Sequence, residues 1–279
     1  MLLSRTYQPS PALAPYIRRH YVFEAELPAD SEIVDGLLAE NAFVRIVMRG
    51  DWSVETEPGV WRNGGQTILF GANARPLKVR VRGPFTVIGF AIRPSGWSSL
   101  FWEPARSYAD KMVSLGDAWD DIAPKLLSDL TDAPDDGAKV AALERAVATQ
   151  MARVGARHPD ELIAHFEQIA RADSMIKVED IAARLGLSVR QLERRCLAAC
   201  GLTPKMILRR SRFLDMAAAM RGFSSPSEEE LAKLRYFDQS HLNREFKRFA
   251  NMTPGAFASA FTPLFTAGLK LREEGKTIE

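Results

Sequence analysis

The chain has 279 residues, 46% of them hydrophobic and 26% charged, with a net charge of +2. That is enough apolar material for two packed domains, and a charge that by itself points to neither nucleic acid nor membrane. Two cysteines and four dispersed histidines exclude a disulfide framework and a zinc site.

The opening MLLSRTYQPS does not have the form of a signal peptide, and no apolar run of the roughly 18 residues a membrane helix needs occurs. A cytoplasmic protein with reduced thiols and no membrane partner is expected. From Asn41 to Ile92, short β-type runs alternate with turn residues: FVRIVM, WSVET, QTILFG, LKVRVRG and FTVIGFAI, punctuated by Gly50-Asp51, Pro58-Gly59, Asn63-Gly64-Gly65 and Gly83-Pro84. Strands so closely spaced predict a small antiparallel barrel or sandwich.

His20 is the only histidine near these strands, so the clustered ligands of a metal-dependent barrel enzyme are missing. There is also no nucleophile elbow, paired-carboxylate signature or phosphate-cradling glycine loop. No cofactor and no catalytic residue is expected. Lys78, Arg80 and Arg82 share one strand face, which is either a solvated exterior or an anion-binding one. Trp52, Trp61, Trp97 and Trp102 either line a pocket or pack as core and rim.

Helical text follows: SGWSSLFW, WDDIAPKLLSDL and AKVAALERAVATQMARV, the last two separated by the loop TDAPDDG. In the third segment Val140, Val147 and Val154 recur at heptad spacing beside Leu143 and Met151. That pattern suits a dimer seam or packing within the chain. PDELIAHFEQIARA (159–172) leads onward without a Gly/Ser linker.

VEDIAARLGLS predicts a short amphipathic helix ended by Gly186, and Ser188 then opens a second helix over 189–200. Two helices about a tight glycine turn form a helix-turn-helix. The second presents Arg190, Gln191, Glu193, Arg194 and Arg195 on its outward side, residues suited to phosphates and base edges. A solvated face in an all-helical domain is the plain alternative. A repeat weighs against it. SVRQLERRCLAACGLTP (188–204) aligns with DQSHLNREFKRFANMTP (238–254): Leu192 on Leu242, Arg194 on Arg244, Cys196 on Phe246, Gly201 on Asn251 and Thr203-Pro204 on Thr253-Pro254. In this frame Cys196 is a small core hydrophobe, although a redox pair with Cys200 is a second option. PKMILRRSRFLDMAAAM between the copies predicts one helix of about 25 Å, long enough to hold two recognition helices about one DNA turn, roughly 34 Å, apart.

Charge follows the repeat. Residues 1–170 hold 18 basic and 22 acidic side chains, and residues 171–265 hold 16 and 10, a net of +6 where the repeat lies.

IAARLGLSVRQLERR, GLTPK and DQSHLNREFKRF…MTP together resemble the C-terminal DNA-binding domain of AraC/XylS-type transcriptional regulators, over about Ile176 to Phe261. The resemblance implies two helix-turn-helix units joined by a connecting helix. It further implies DNA contacts from Ser188, Arg190, Gln191, Glu193 and Arg194 in the first unit. The second would contribute Gln239, Ser240, Asn243 and Arg244, with His241 and Lys247 near the DNA backbone. The chain departs from the pattern at SEEELAKLRYFDQ, where Arg235 stands in place of the turn glycine and Glu230 falls in an apolar slot. Residues 7–130, with YQPSPALAPYI and FGANARPLKV…GPFTVIGFAIRPSGWSSLF, are diffusely similar to the degenerate cupin-like sensor domain of one branch of these regulators.

The expectation is therefore an α+β chain with an N-terminal barrel or sandwich plus helices and an all-α C-terminal domain. The divisions are 1–170, an effector-binding or dimerisation domain with strands to about 95; 171–265, the DNA-binding domain; and 266–279, a tail. The expected function is a sequence-specific transcriptional activator or repressor with promoter DNA and RNA polymerase as partners, a small-molecule effector and a homodimer being further possibilities. The alternative is a dimerisation protein with a weakened second DNA-reading unit, acting through protein partners.

Overall fold

The computed structural model describes residues 2–38, 40–225 and 239–277. Its fold is α+β, an antiparallel sheet followed by helices. The sheet has eight strands: β1 (Leu2–Tyr7), β2 (Ile17–Ala25), β3 (Glu32–Leu37), β4 (Phe43–Glu57), β5 (Val60–Asn63), β6 (Thr67–Phe70), β7 (Leu77–Ile92) and β8 (Met112–Ser114). Two long strands, β4 and β7, form its spine. β7 pairs with β2 from Ala25↔Phe85 to Ile17↔Ile92 and with β3 from Glu32↔Arg82 to Leu37↔Leu77. β4 pairs likewise with β6 through Phe43↔Phe70 and with β5 through Ser53↔Asn63.

Two sequence expectations change here. Gly50 and Gly83-Pro84, read as turns between strands, lie inside β4 and β7. There the register between the two shifts around Arg49 and the glycines take φ of 97° and 64°. A β-carbon is poorly tolerated at such angles, and a bulge at this point bends the strand instead of ending it. The sheet also begins well before Asn41. β2, IRRHYVFEA, hides its period because both of its faces are largely buried.

The bent sheet closes over one core, in which Phe23, Phe43, Trp52, Phe70, Val79, Val81 and Phe85 meet. Its other face packs Val44, Ile46, Ile88 and Phe90 against a helical layer. That layer contains a 3-10 helix at Pro94–Ser99, α1 (Gly116–Trp119), α2 (Ile122–Thr131) and α3 (Asp136–Val154). Leu143 and Val147 of α3 are fully buried against this core. The central heptad position, Val147, is thus buried within the chain. The tryptophans do not converge: Trp52 and Trp97 lie in different cores, and Trp102 is exposed. Trp61 lies over Lys78 and Arg80, with the Arg80 guanidinium 4.4 Å from the ring, while Lys78 pairs with Glu55 and Arg82 with Glu32. The three cations of that strand are on the solvent side, beside Trp61 and the carboxylates of Glu55 and Glu32.

Seven further helices complete the described chain: α4 (Glu161–Ala172), α5 (Val178–Arg184), α6 (Val189–Ala199), α7 (Pro204–Met220), α8 (Gln239–Ala250), α9 (Pro254–Ser259) and α10 (Pro263–Thr277). Ile163 and Phe166 of α4 sit in one core with Ile181 of α5 and with Leu192 and Cys196 of α6. Phe213 of α7 stacks on Phe249 of α8, 5.2 Å between centroids, within a second core that includes Phe246, Phe257 and Phe265. The residues read as a tail begin inside α10, which is packed on β3 and α7 through Leu264, Phe265 and Leu269.

Candidate nucleic-acid interface

The turn between α5 and α6 follows from three residues. Gly186 adopts φ of 66°, reversing the chain directly after α5. Ser188 then caps α6 by accepting from the Gln191 N–H at 3.3 Å, and the Gln191 side chain accepts from the Ser188 N–H at 2.8 Å, a closed capping box. Leu192 and Cys196 face the core. Ser188, Arg190, Gln191, Glu193 and Arg194 are all exposed, so the structure brings the first group of expected contact residues onto one free surface at the start of α6. Arg195 instead pairs with Asp160 at 2.9 Å and fixes α6 to the start of α4.

After α6, Gly201 takes φ of 75° and Thr203 caps α7 through the Met206 N–H. The second unit repeats these steps. Asn251 takes φ of 57° after α8, and Thr253 caps α9 through the Ala256 N–H. Connector α7 is a single helix of 17 residues, as its composition predicts. On α8, Gln239, Ser240, Arg244 and Lys247 are exposed, while His241 and Asn243 are half-buried. Phe246 and Phe249 anchor the inner side. The stretch containing Glu230, Arg235 and Asp238 lies outside the described residues. One anchor escaped the sequence reading: Glu245 is buried and accepts two hydrogen bonds from Arg209 of α7. A charged residue among the cations of REFKR gave no hint that it faces inward.

Residues 181–260 match a family described as a helix-turn-helix domain. The C-terminal domain is of the AraC type. Residues 5–114 match a second family, described as a domain of unknown function (DUF6597). No curated protein matches the chain. Solved structures similar to it include ToxT from Vibrio cholerae, 11% identical over 92% of this chain and 97% of that one with a TM-score of 0.47. Unsaturated fatty acid bound ToxT is 10% identical over 86% and 94%, with a TM-score of 0.46. The AraC-like transcriptional activator CuxR is 14% identical over 84% and 91%, with a TM-score of 0.28. At such scores these likenesses carry no further argument.

The AraC-type domain is tied to the sheet by buried polar contacts. Arg210, on α7, donates to the Glu40 carbonyl at 2.6 Å, the Asn73 carbonyl at 3.3 Å and Asn41 Oδ1 at 2.6 Å. Burial pulls its pKa down to about 10. Arg18 of β2 pairs with Glu167 of α4 at 2.8 Å; both are deeply enclosed, and desolvation lowers the arginine pKa and raises that of the carboxyl. Asp35 of β3 accepts from the N–H groups of Leu264 and Phe265, holding the start of α10 from the sheet. Arg272, further along α10, pairs with Asp215 of α7 at 2.7 Å. The C-terminal half of α6 lies against the 3-10 helix, where Arg194, Arg195 and Ala198 border a cavity of about 360 Å³ with Trp97 and Ser98. The first recognition-type helix therefore touches both solvent and the N-terminal domain.

Proposed function

We propose that the chain is a sequence-specific DNA-binding regulator of transcription. In this reading residues 171–265 are the DNA-binding domain and residues 1–170 the domain that receives a small effector or forms a homodimer. The observation that carries it is the repeat in three dimensions: two core-anchored helices, α6 and α8, held by one unbroken connector and each presenting basic and amide side chains outward. Ser188, Arg190, Gln191, Glu193 and Arg194 of the first helix, and Gln239, Ser240, Asn243 and Arg244 of the second, are the proposed base and phosphate contacts. His241 and Lys247 are placed near the backbone. Promoter DNA and RNA polymerase, in a cytoplasmic setting, are the partners this reading calls for.

The test is binding of the full chain to DNA upstream of its own gene as salt is varied. Neutralisation of several phosphates makes log K fall steeply between about 50 and 200 mM salt. A flat response would refute the reading and favour action through protein partners.

A further inference from the structure

Arg195 is the cation of α6 that the reading surface leaves unused. It stands one turn after Gln191, on the same side of the helix, and directly after the exposed Arg194. Its guanidinium turns instead to Asp160, Nη1 donating to Oδ2 at 2.9 Å, and among the described residues no second carboxylate pairs with it.

Asp160 joins three elements. Its N–H donates to the Ser95 carbonyl of the 3-10 helix at 2.8 Å, its Oδ1 accepts from the Ile163 N–H at 3.2 Å and caps α4, and its Oδ2 holds α6. Ser95 is buried, and Trp97 beside it stacks on Phe101 in the core of the N-terminal domain. The cap alone does not call for a charge, since asparagine or serine serves as well at this position. The charge is what Arg195 uses.

This attachment is exchangeable. The side chains of Arg195 and Asp160 are 41% and 29% exposed, and a pair so open to water adds little to stability. The end of α6 is held differently: a β-carbon at Gly201 would lie 3.1 Å from the Ala105 carbonyl oxygen, and Leu202 is buried with Ala72 and Ala74. Alongside lies the cleft of about 360 Å³, with Ala198 and Ala199 on one side and Pro94 and Ser98 on the other. α6 therefore has a close-packed end and, one turn earlier, a polar contact beside open space. A phosphate offers Arg195 the same charge-assisted geometry as a carboxylate.

We propose that Asp160 is a positioning residue that withholds Arg195 from DNA: the pair latches α6 to the N-terminal domain, and its opening gives the guanidinium to a backbone phosphate. The proposal rests on the DNA-binding reading above and adds how residues 1–170 act on that surface. A displacement of the 3-10 helix reaches Asp160 through the Ser95 carbonyl and changes by one the number of phosphates that α6 neutralises.

The experiment measures the slope of log K against log salt for the full chain, by anisotropy, on its own upstream DNA and on a scrambled duplex. Asp160→Asn keeps the cap and removes the charge. Asp160→Ser does the same if the first variant fails to fold. Expected is a slope steeper by about 0.9, the increment for one phosphate contact. It should appear on both duplexes, because phosphates carry no sequence. Arg195→Gln alone should leave the parent slope unchanged, and Asp160→Asn with Arg195→Gln should return to it. A flatter slope from Arg195→Gln alone would show that the arginine already contacts DNA and overturn the proposal. So would an unchanged slope in the folded Asp160 variant, or a double variant as steep as that single one. Any of these with a steep parent slope sinks the latch and leaves the DNA-binding reading standing. A flat parent slope sinks that reading and the latch with it.

Discussion

Arg210 is one side chain on which much of the domain junction depends. Its guanidinium meets two carbonyls and one side-chain amide that have left water. Each acceptor stranded by its removal costs about 1–3 kcal/mol. Arg210→Ala is therefore expected to lower the unfolding free energy by about 3 kcal/mol, read from urea denaturation. Arg190→Ala, on the exposed side of α6, should stay within about 0.5 kcal/mol of the parent. His20 gives a pH-dependent counterpart. It is fully buried, its ring nitrogens lack hydrogen bonds, and burial holds its pKa below the ordinary imidazole value, with Glu144 at 3.4 Å pulling the other way. A depressed histidine pKa means that the unfolded chain takes up the proton first as pH falls. The stability is present above about pH 6.5 and is lost below it, at up to about 1.4 kcal/mol per pH unit for one proton. Unfolding curves between pH 7 and 5.5 (roughly the span of that titration) should show this slope, and His20→Phe should flatten it. A slope unchanged in the variant would assign it to other groups.

At the scale of elements, the two recognition-type helices are supported differently. α6 has its turn glycine, its capping box and α5 packed behind it through Ile181 and Ala182. α8 is anchored by Glu245 and its phenylalanines, but the sequence before it carries Arg235 where the first unit has Gly186. A bidentate base contact yields its roughly 1–3 kcal/mol of discrimination only when its geometry is held. Arg194→Ala should accordingly weaken specific binding more than Arg244→Ala and relax preference at one base position. Arg244→Ala should weaken specific and non-specific DNA more evenly. Anisotropy titrations of both variants on one target at fixed salt decide this, and a larger loss of specificity from Arg244→Ala would show the second unit to be the main reader.

For the whole molecule, the junction makes the two domains one folding unit. Arg210 with its three acceptors, and α10 between Asp35 and Asp215, cross it. Ending the chain after Thr262 removes the buried Leu264, Phe265 and Leu269, each contributing about 1.5–3 kcal/mol by burial. Calorimetry of the shortened chain should show the single transition split into two, with the sheet and the AraC-type domain melting separately. A single unshifted transition would mean that α10 is peripheral to stability.

Local chemistry sufficed for the AraC-type domain. Caps at Ser188, Thr203 and Thr253, left-handed stops at Gly201 and Asn251, and apolar spacing across the repeat are read within a few residues of one another, and helices are built from such short-range contacts. The strands were legible only in part. Gly50 and Gly83 look the same in text whether a chain turns or a long strand bends, and only the pairing across β4 and β7 separates the two cases. Arg45 in FVRIVM could be noticed as a cation in an apolar run, but the rings around it come from two other strands as well as its own. The same is true of Asp35, Arg210 and α10, whose partners lie well over a hundred residues away. Their roles arise when solvent is excluded between distant segments, and no local period records that event.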